Sequence, residues 1–284
     1  MRISAPVPSR PLCESDNAII ELEITIKNNP HGLCLRISGM MPRTMSLSFI
    51  EYLENNLRDN PPKERGLRTR ERLKIAAAKG LREKGYLALR VADVTAGAEV
   101  AEGSFYVYFT DKTDVALTVL TEFLEEFFKL DARPAAERAP FEAIRQTNRR
   151  WVAVCRANAG LMRCILQLGD EVPELSRLAR RTNRIWYERV ARSLKRRRGN
   201  IGSGPALFAL YLLGGMMDEL VRKLIIYPDP DLHALLKEMD ADDAAVADAA
   251  SVLWLHIFHP EESPPSDLPP AAAALAAWIV PNRR

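Results

Sequence analysis

Two short helical stretches between Arg90 and Phe109 are separated by a tight turn at residues 98–100. The second stretch begins with the small residues Ala101, Gly103 and Ser104. Small side chains let a backbone and a helix N-terminus come close to a phosphate or a base edge. Gly103 lowers helix stability by roughly 1 kcal/mol relative to Ala, a loss that close approach to a ligand would explain. The pattern predicts a helix-turn-helix whose second helix can enter the major groove of DNA.

Helical periodicity extends on both sides of this pair, from residue 46 onward. Leu73, Ala77 and Leu81 lie on one face of the preceding helix, and Gly85 is a natural stop for it. Asp111 is placed to cap a long helix over residues 114–130. Downstream of the first 45 residues we find no strand pattern. The predicted fold is all-α, with an N-terminal three-helix helix-turn-helix domain followed by a helical ligand-binding and dimerisation domain.

The first 45 residues differ from the rest of the chain. Apolar and polar residues alternate over 20–27 and again over 33–37, around a turn-rich spacer, which is typical of a β-hairpin. Alternatively, this segment is an upstream extension, and Met40, Met41 or Met45 is the natural start. The sequence leaves both interpretations open.

Charge is segregated along the chain, although the net charge of the 284 residues is only +3. Residues 61–92 carry ten Lys or Arg and three Glu, a net charge of +7, and residues 177–198 carry ten basic residues and one Glu. Residues 229–284 carry ten acidic and three basic residues. The composition excludes a histone-like polycation and an acidic disordered protein.

Several classes of protein are disfavoured by particular residues. The four Cys have no C-x-x-C spacing, and the four His are not near a Cys or acidic cluster, so we predict no metal, no cofactor and no enzymatic activity. The apolar run 206–217 is too short to span a bilayer. Prolines at positions 6, 8 and 11 lie where a signal peptide would have its apolar stretch. These features predict a cytoplasmic protein outside the membrane.

The run from Gly85 to Lys112, GYLALRVADVTAGAEVAEGSFYVYFTDK, resembles the DNA-binding signature of the TetR/AcrR (tetracycline-repressor) family. Members of the family spell it as Gly, Thr-Val, Asp-Ile-Ala, a Gly-Val-Ser turn, and Gly-Thr/Ser-x-Tyr-x-Tyr/His-Phe followed by Lys. The positions correspond in order and without a gap, and the similarity covers roughly residues 67–127.

The resemblance implies roles for the matching residues. Residues 101–104 would face the groove, Tyr106, Tyr108 and Lys112 would hold phosphates, and Val91, Val94, Phe105 and Phe109 would form the core. The basic run 63–72 is either a solvated helix face or, as its place before the motif favours, a set of backbone phosphate contacts. The predicted DNA-binding residues are Arg68, Arg70, Arg90, Ala101, Glu102, Gly103, Ser104, Tyr106, Tyr108 and Lys112.

Four positions depart from the family's pattern. Arg90 replaces a capping Thr or Ser, Ala101 replaces a Ser, and Ala92 replaces a residue that is often basic. Glu99 replaces the turn Gly, which is unfavourable if the turn needs a positive φ. These departures support an alternative function, a helical ligand-binding or interaction protein whose degenerate helix-turn-helix no longer binds DNA specifically.

The rest of the chain is predicted to sense a small molecule and to form a homodimer. The helices over 206–226 and 242–258 are apolar enough to pack with their symmetry mates. Aromatic and sulfur-containing side chains, with two polar ones, could enclose a pocket for an unknown effector; each is otherwise an ordinary core or surface residue. The pocket candidates are Phe127, Asn148, Trp151, Cys155, Met162, Trp186, Met216 and Asp218.

These interpretations divide the chain into five segments. They are an N-terminal extension (1–45), a basic linker or arm (46–66), the helix-turn-helix domain (67–127), the ligand-binding and dimerisation domain (128–259), and a mobile tail rich in Pro and Ala (260–284). The expected function is a dimeric repressor that a small molecule releases from operator DNA.

Overall fold

The computed structural model describes residues 46–129, 139–198 and 202–279, so the possible hairpin in residues 1–45 lies outside it. The described residues contain no strand and belong to one compact unit, Met45–Arg284. A π-helical turn, Arg222–Ile226, continues the ninth helix. The helices are α1 (Phe49–Asp59), α2 (Arg65–Ala88), α3 (Val91–Ala98), α4 (Glu102–Phe105), α5 (Lys112–Lys129), α6 (Pro140–Ala157), α7 (Ala159–Gly169), α8 (Pro173–Arg198), α9 (Ser203–Val221), α10 (Pro230–Glu238), α11 (Asp243–Phe258) and α12 (Pro270–Leu275).

Local signals set the ends of the helices around the predicted motif. Gly85 leaves the helical conformation inside α2 with a φ of 74°, which a residue without Cβ adopts readily. The Asp111 carboxylate accepts a hydrogen bond from the Asp114 backbone N–H at 2.9 Å, and the Asp114 carboxylate accepts one from Thr110 N–H at 2.9 Å. This reciprocal cap fixes the start of α5.

Helices α1 to α5, with α7 and the start of α8, enclose the first apolar core. Its large side chains come from every turn of the motif, so the helix-turn-helix cannot move without disturbing this core. The largest fully buried side chains in it include Leu73, Leu81, Leu89, Val94, Phe105, Leu120, Phe123 and Leu161.

The interval 46–66, predicted as a basic linker or arm, contains helix α1 instead of an unstructured arm. Phe49, Ile50 and Leu53 lie on one helix face and are buried in the first core. The Phe49 ring lies 5.3 Å from that of Phe123, centroid to centroid. These apolar residues have helical spacing. The prediction of an arm gave more weight to the basic residues that follow position 60.

Helix α7 packs against the C-terminal part of α2. A Cβ built on Gly160 would stand 2.3 Å from the carbonyl oxygen of Arg82, so the two backbones are in direct contact there. One face of α7, including Leu161 and Leu168, belongs to the first core, and Met162 packs against both cores. Helix α7 therefore joins the two halves of the described structure.

Helices α6 and α11 are held together by polar contacts as well as apolar ones. Asp248 is fully buried and accepts hydrogen bonds from Arg145 at 3.1 Å and from Arg149 at 2.5 Å. Arg156 pairs with Asp243 at 2.6 Å. Because the Asp248 carboxylate is shielded from solvent, the guanidinium groups of Arg145 and Arg149 must compensate its charge.

The interval 260–284, predicted as a mobile tail, contains helix α12. Ala272 and Ala276, one helical turn apart, are buried against α11 with relative exposures of 0% and 1%. Small residues at this spacing allow a close approach between two helices. The packed helix corrects the prediction for the described residues of this segment.

Helix α9 and its continuation, Gly204–Ile226, are long and apolar enough to cross a membrane by length and composition alone. However, Leu210, Met217 and Val221 are buried in the second apolar core. A core helix shows the same composition.

Candidate nucleic-acid interface

The two helices of the motif are fixed by charged residues at their ends. Arg90 caps α3, and its backbone N–H donates to the Asp93 carboxylate at 3.1 Å. Lys84 Nζ lies 2.6 Å from Asp93. The Lys84 hydrogen bond, with the Arg90 N–H, holds the pKa of Asp93 below its usual value. Arg90 thus uses its main chain to cap the helix, and its exposed side chain stays available for a phosphate.

Glu99 occupies the turn between α3 and α4 in the left-handed conformation, with a φ of 53° and a ψ of 49°. The turn therefore does require the positive φ for which Gly is best suited. The Glu99 carboxylate accepts a hydrogen bond from Arg72 on α2 at 3.0 Å. A side chain absent from the family's pattern thus links the turn to the preceding helix.

The start of α4 presents an unobstructed surface. Ala101, Glu102 and Gly103 are exposed, and Ser104 is half-buried. Apart from its chain neighbours and the backbone of its own helix, no atom of the described residues lies within 4 Å of the position that a Cβ on residue 103 would take. The small residues predicted to face a groove therefore form an open surface on which a partner can approach the backbone.

The aromatic residues of the motif divide between core and surface. Val94, Phe105 and Phe109 are buried, as predicted, with exposures of 2% or less. Tyr106 has an exposure of 58%, so its side chain is accessible to a partner. The Tyr108 ring lies beside Gly66 at the start of α2, which half-buries it.

Lys112, predicted to hold a phosphate, donates instead to the main chain at the end of α2. Its Nζ lies 3.3 Å from the carbonyl oxygens of Tyr86, Leu87 and Leu89, and 4.8 Å from the centroid of the Tyr86 ring. An ammonium group has three N–H donors. The side chain thus joins the start of α5 to the end of α2, a role that the sequence pattern does not indicate.

The two predicted contacts on α2 also have internal partners. Arg68 donates to the carbonyl oxygens of Pro62 and Lys63, both at 2.9 Å. The Arg70 guanidinium lies 5.0 Å from the centroid of the Phe109 ring. These contacts hold both basic side chains near the motif, where each keeps solvent access.

Residues 75–119 match the family model of bacterial regulatory proteins of the tetR family. The matched segment contains the whole helix-turn-helix and runs from α2 into α5. The chain thus carries a TetR-type helix-turn-helix, the DNA-binding domain of a transcriptional regulator. Among curated proteins, no sequence matches the chain.

Two solved structures are similar to this chain. The fatty acid degradation regulator FadR from Bacillus halodurans has 19% sequence identity and a TM-score of 0.48, over 66% of this chain and 94% of that one. A protein from Mesorhizobium loti MAFF303099, described as a TetR-family transcriptional regulator, has 21% identity and a TM-score of 0.49, over 69% of this chain and 98% of that one.

The C-terminal half of the chain gathers most of the predicted pocket residues into one apolar cluster. Around the buried residues Cys155 and Tyr187 pack partly buried aromatic and sulfur-containing side chains. The predicted members that belong to this cluster are Trp151, Cys155, Met162, Trp186 and Met216. The fold thus brings together residues of α6, α7, α8 and α9.

Three predicted pocket residues stand apart from that cluster. Asn148 is buried and donates to Ser251 on α11 at 3.0 Å, so it serves a contact between helices. The side chain of Phe127 lies outside the described part of α5. Asp218 lies on α9 and keeps solvent access, while burial raises its pKa to about 6.

A buried ion-pair cluster in the DNA-binding domain was not predicted from the sequence. Lys74 of α2, only 5% exposed, lies 2.8 Å from Glu71 and 2.5 Å from Glu122 of α5. A buried charge needs such partners. In the sequence, Lys74 falls on the apolar face of α2. A charged residue at such a position was the signal from which a buried ion pair could have been predicted.

Proposed function

We propose that the chain is a dimeric repressor that binds a specific operator through α4 and leaves it when a small molecule binds the C-terminal domain. The observation that carries this proposal is the TetR-type helix-turn-helix with its open surface at Gly103. A main chain that is free to approach a base edge is what a major-groove reader needs. Binding to chromosomal DNA also favours a cytoplasmic location.

An exposed apolar face on α9 supports the dimer. Phe208, Tyr211 and Leu212 are 65%, 47% and 60% exposed, and Gly204 and Gly215 lie on the same face of the helix. A contiguous apolar face on a folded chain marks an interaction surface. A second copy of α9, related by a two-fold axis, would cover it.

Helix α11, the second helix predicted at the dimer interface, offers less surface. Val246, Ala249 and Ala250 are at most 8% exposed, whereas Ile257 is 45% exposed. Most of the predicted stripe is therefore covered within the subunit, much of it by α6 and α12. We assign the larger share of the proposed interface to α9.

The sharing of α7 between the two cores supports release by a ligand. Met162 of α7 packs against both cores and lies beside the predicted pocket, and Leu161 and Cys164 are buried in the first core. A ligand that wedges the C-terminal helices would move α7 and pivot α5. The ligand can lower operator affinity at most by the factor by which it binds the displaced arrangement of the helices more tightly than the DNA-binding arrangement.

A gel-shift titration of the protein against its own upstream intergenic DNA tests the proposal. We expect retention that exceeds that of random DNA of the same length and weakens steeply with salt. Retention no stronger than that of random DNA would overturn the repressor and favour the helical interaction protein with a degenerate motif.

A further inference from the structure

Helix α8 has one exposed face that is almost entirely basic. Five basic residues follow one side of the helix, because their spacing of four, three, eight and three residues is close to whole helical turns. They are Arg177, Arg181, Arg184, Arg192 and Lys195, and all five are exposed. We call this row the α8 basic face. It lies outside the helix-turn-helix, and two further exposed arginines, at positions 180 and 189, flank it.

The other sides of α8 pack against both apolar cores. Leu175 is buried in the first core and Leu178 packs against it, whereas Tyr187 and Leu194 are buried in the second. The helix is therefore held along most of its length, and the α8 basic face has a fixed place on the protein surface. The helix starts on the same core that contains Val94 and Phe105 of the helix-turn-helix.

Much of the charge on this face has no partner within the described part of the chain. Arg177 pairs with Glu174, and Arg184 pairs with Glu188 at 2.8 Å. The other two exposed pairs of positions in the row, one turn apart, carry only basic residues, and like charges at this spacing repel one another. No acidic side chain among the described residues pairs with Arg181 or with Lys195. The face is therefore stabilised by an anion that contacts several of its residues at once.

The length of the row favours an extended polyanion. From Arg177 to Lys195 the helix rises about 27 Å, at 1.5 Å per residue. A single phosphate can contact only one or two guanidinium groups, whereas duplex DNA, with a phosphate about every 1.7 Å of its axis, can contact the whole row. Six of the seven exposed basic residues are Arg, whose planar guanidinium can donate two parallel hydrogen bonds to a phosphate.

The composition of the face favours binding to DNA without a sequence preference. Between residues 177 and 195, every exposed polar residue is basic. Long basic side chains mostly contact phosphates, which carry no sequence information. A membrane surface fits less well, because a helix that lies on lipid inserts apolar side chains. Within the described part of α8, Ile185 is the only large apolar residue that is exposed.

We propose that the α8 basic face is a second DNA-binding surface, which holds the phosphate backbone of double-stranded DNA independently of its sequence. It adds to the helix-turn-helix and goes beyond the proposed recognition of an operator, on which it does not depend. Such a surface raises the affinity for all DNA, and its contribution weakens as the salt concentration rises.

Fluorescence anisotropy of the full chain with a labelled duplex of random sequence, at several NaCl concentrations, tests this surface. The α8 variant loses three positive charges of the row, by Arg181→Gln, Arg192→Gln and Lys195→Gln. The control variant loses three exposed or half-exposed positive charges after α9 and on α10, by Arg222→Gln, Lys223→Gln and Lys237→Gln. Gln is a good helix former, so circular dichroism should show both variants folded.

The two variants have the same net charge, so any difference between them depends on position. We expect the α8 variant to bind random DNA at least about tenfold more weakly than the parent at low salt. The slope of log affinity against log salt concentration should become shallower by about 2–3, since each phosphate contact contributes about 0.9. The control variant should keep the slope of the parent. Equal losses in both variants, or no loss in the α8 variant, would overturn the proposal.

The acidic residue within the row supplies a change in the opposite direction. Glu188 lies between Arg184 and Arg192 on the same side of α8. Glu188→Gln removes its repulsion of phosphates and should strengthen binding to random DNA, with a steeper salt dependence. Weaker or unchanged binding would count against α8 as the contact surface.

A lipid control excludes the other extended anion. Vesicles that contain phosphatidylserine should bind the parent and the α8 variant equally. If the substitutions abolish binding to these vesicles and leave binding to random DNA unchanged, the partner of α8 is a membrane and the proposal is wrong.

A change on α4 separates the second surface from the helix-turn-helix. Gly103→Glu places a carboxylate on the open surface of α4 and should weaken the contact that α4 makes. In this background the three α8 substitutions should weaken random DNA by the same factor as in the parent, because independent sites contribute additively. An α8 effect that disappears in this background would show that the two surfaces are not independent.

The outcome is also separable from that of the repressor. If the α8 substitutions weaken binding to random DNA but the parent shows no preference for its upstream intergenic DNA, the second surface stands and the repressor fails. If that preference is present and the α8 substitutions have no effect, the repressor stands and the second surface is wrong.

Discussion

The side chain of Asn158 accepts a hydrogen bond from the backbone N–H of Phe49 at 2.9 Å, across 109 residues of sequence. The same side chain donates to the carbonyl oxygens of Leu47 and Val154 at 2.7 and 2.8 Å. Asn158 is 2% exposed and stands between α6 and α7. One buried amide therefore ties the start of α1 to the junction that joins the two halves of the protein.

Replacing Asn158 with Ala should destabilise the fold. The Phe49 N–H loses its acceptor in a buried site, and we expect the free energy of unfolding to fall by about 1–3 kcal/mol. Urea denaturation measures it. Asn55→Ala, which removes an exposed hydrogen bond to Arg58 on α1, should change it by less than about 0.5 kcal/mol. Equal losses in the two variants would contradict the role of Asn158.

At the turn residue Glu99, replacement by Gly should give a more stable protein than replacement by Ala. Both variants lose the pair with Arg72, which is exposed on both sides and contributes about 0–1 kcal/mol. Only Gly relieves the left-handed conformation, so Glu99→Gly should exceed Glu99→Ala in unfolding free energy by about 1 kcal/mol or more.

A helical position close to the turn supplies the control. Ala96 is exposed within α3, and Ala96→Gly should lower the unfolding free energy by about 1 kcal/mol. Gly in place of Ala should thus raise the unfolding free energy at residue 99 and lower it at residue 96. A loss at both positions would show that the turn carries no strain.

The sequence was informative where the determinants are local. The stop at Gly85 and the cap at Asp111 depend on neighbours within a few residues, and both were predicted. The carbonyl contacts of Lys112 span 23 to 26 residues, and the Asn148 contact with Ser251 spans 103. Apolar periodicity shows that a helix face is covered, but not which helix covers it, which is why α11 was predicted at a dimer interface.

Lys112 and Ser104 should affect DNA binding differently. Lys112→Ala should weaken operator and random DNA by the same factor, because its contacts with the end of α2 position the motif that binds both. It should also lower the unfolding free energy by roughly 1 kcal/mol, because three carbonyls at the end of α2 lose their donor. Ser104→Ala should change the ratio of operator to random affinity and leave stability nearly unchanged. Gel shifts that give the same ratio for both variants would refute these roles.

The exposed face of α9 should control the oligomeric state. Leu212→Glu would place two carboxylates near a two-fold axis in an apolar contact, and we expect at least tenfold weaker dimerisation, about 1.4 kcal/mol or more, by sedimentation velocity. Leu235→Glu changes a leucine of similar exposure on α10 and should leave the dimer intact. Dissociation by both variants, or a parent protein that is monomeric at micromolar concentration, would contradict the interface.

Asp218 should make stability depend on pH in the direction opposite to that of an ion-paired carboxylate. Its pKa is raised in the folded chain to about 6 from 3.8. The unfolded chain therefore ionises first, and the stability present below pH 4 is lost as the pH rises through about 6. Asp218→Asn removes this loss, so its melting temperature should exceed that of the parent at pH 8 and differ little at pH 4. Glu219→Gln, at the adjacent carboxylate whose pKa is lowered, should show no such gain at pH 8. A parallel pH dependence in the parent and Asp218→Asn would mean that the carboxylate is fully hydrated in the folded chain.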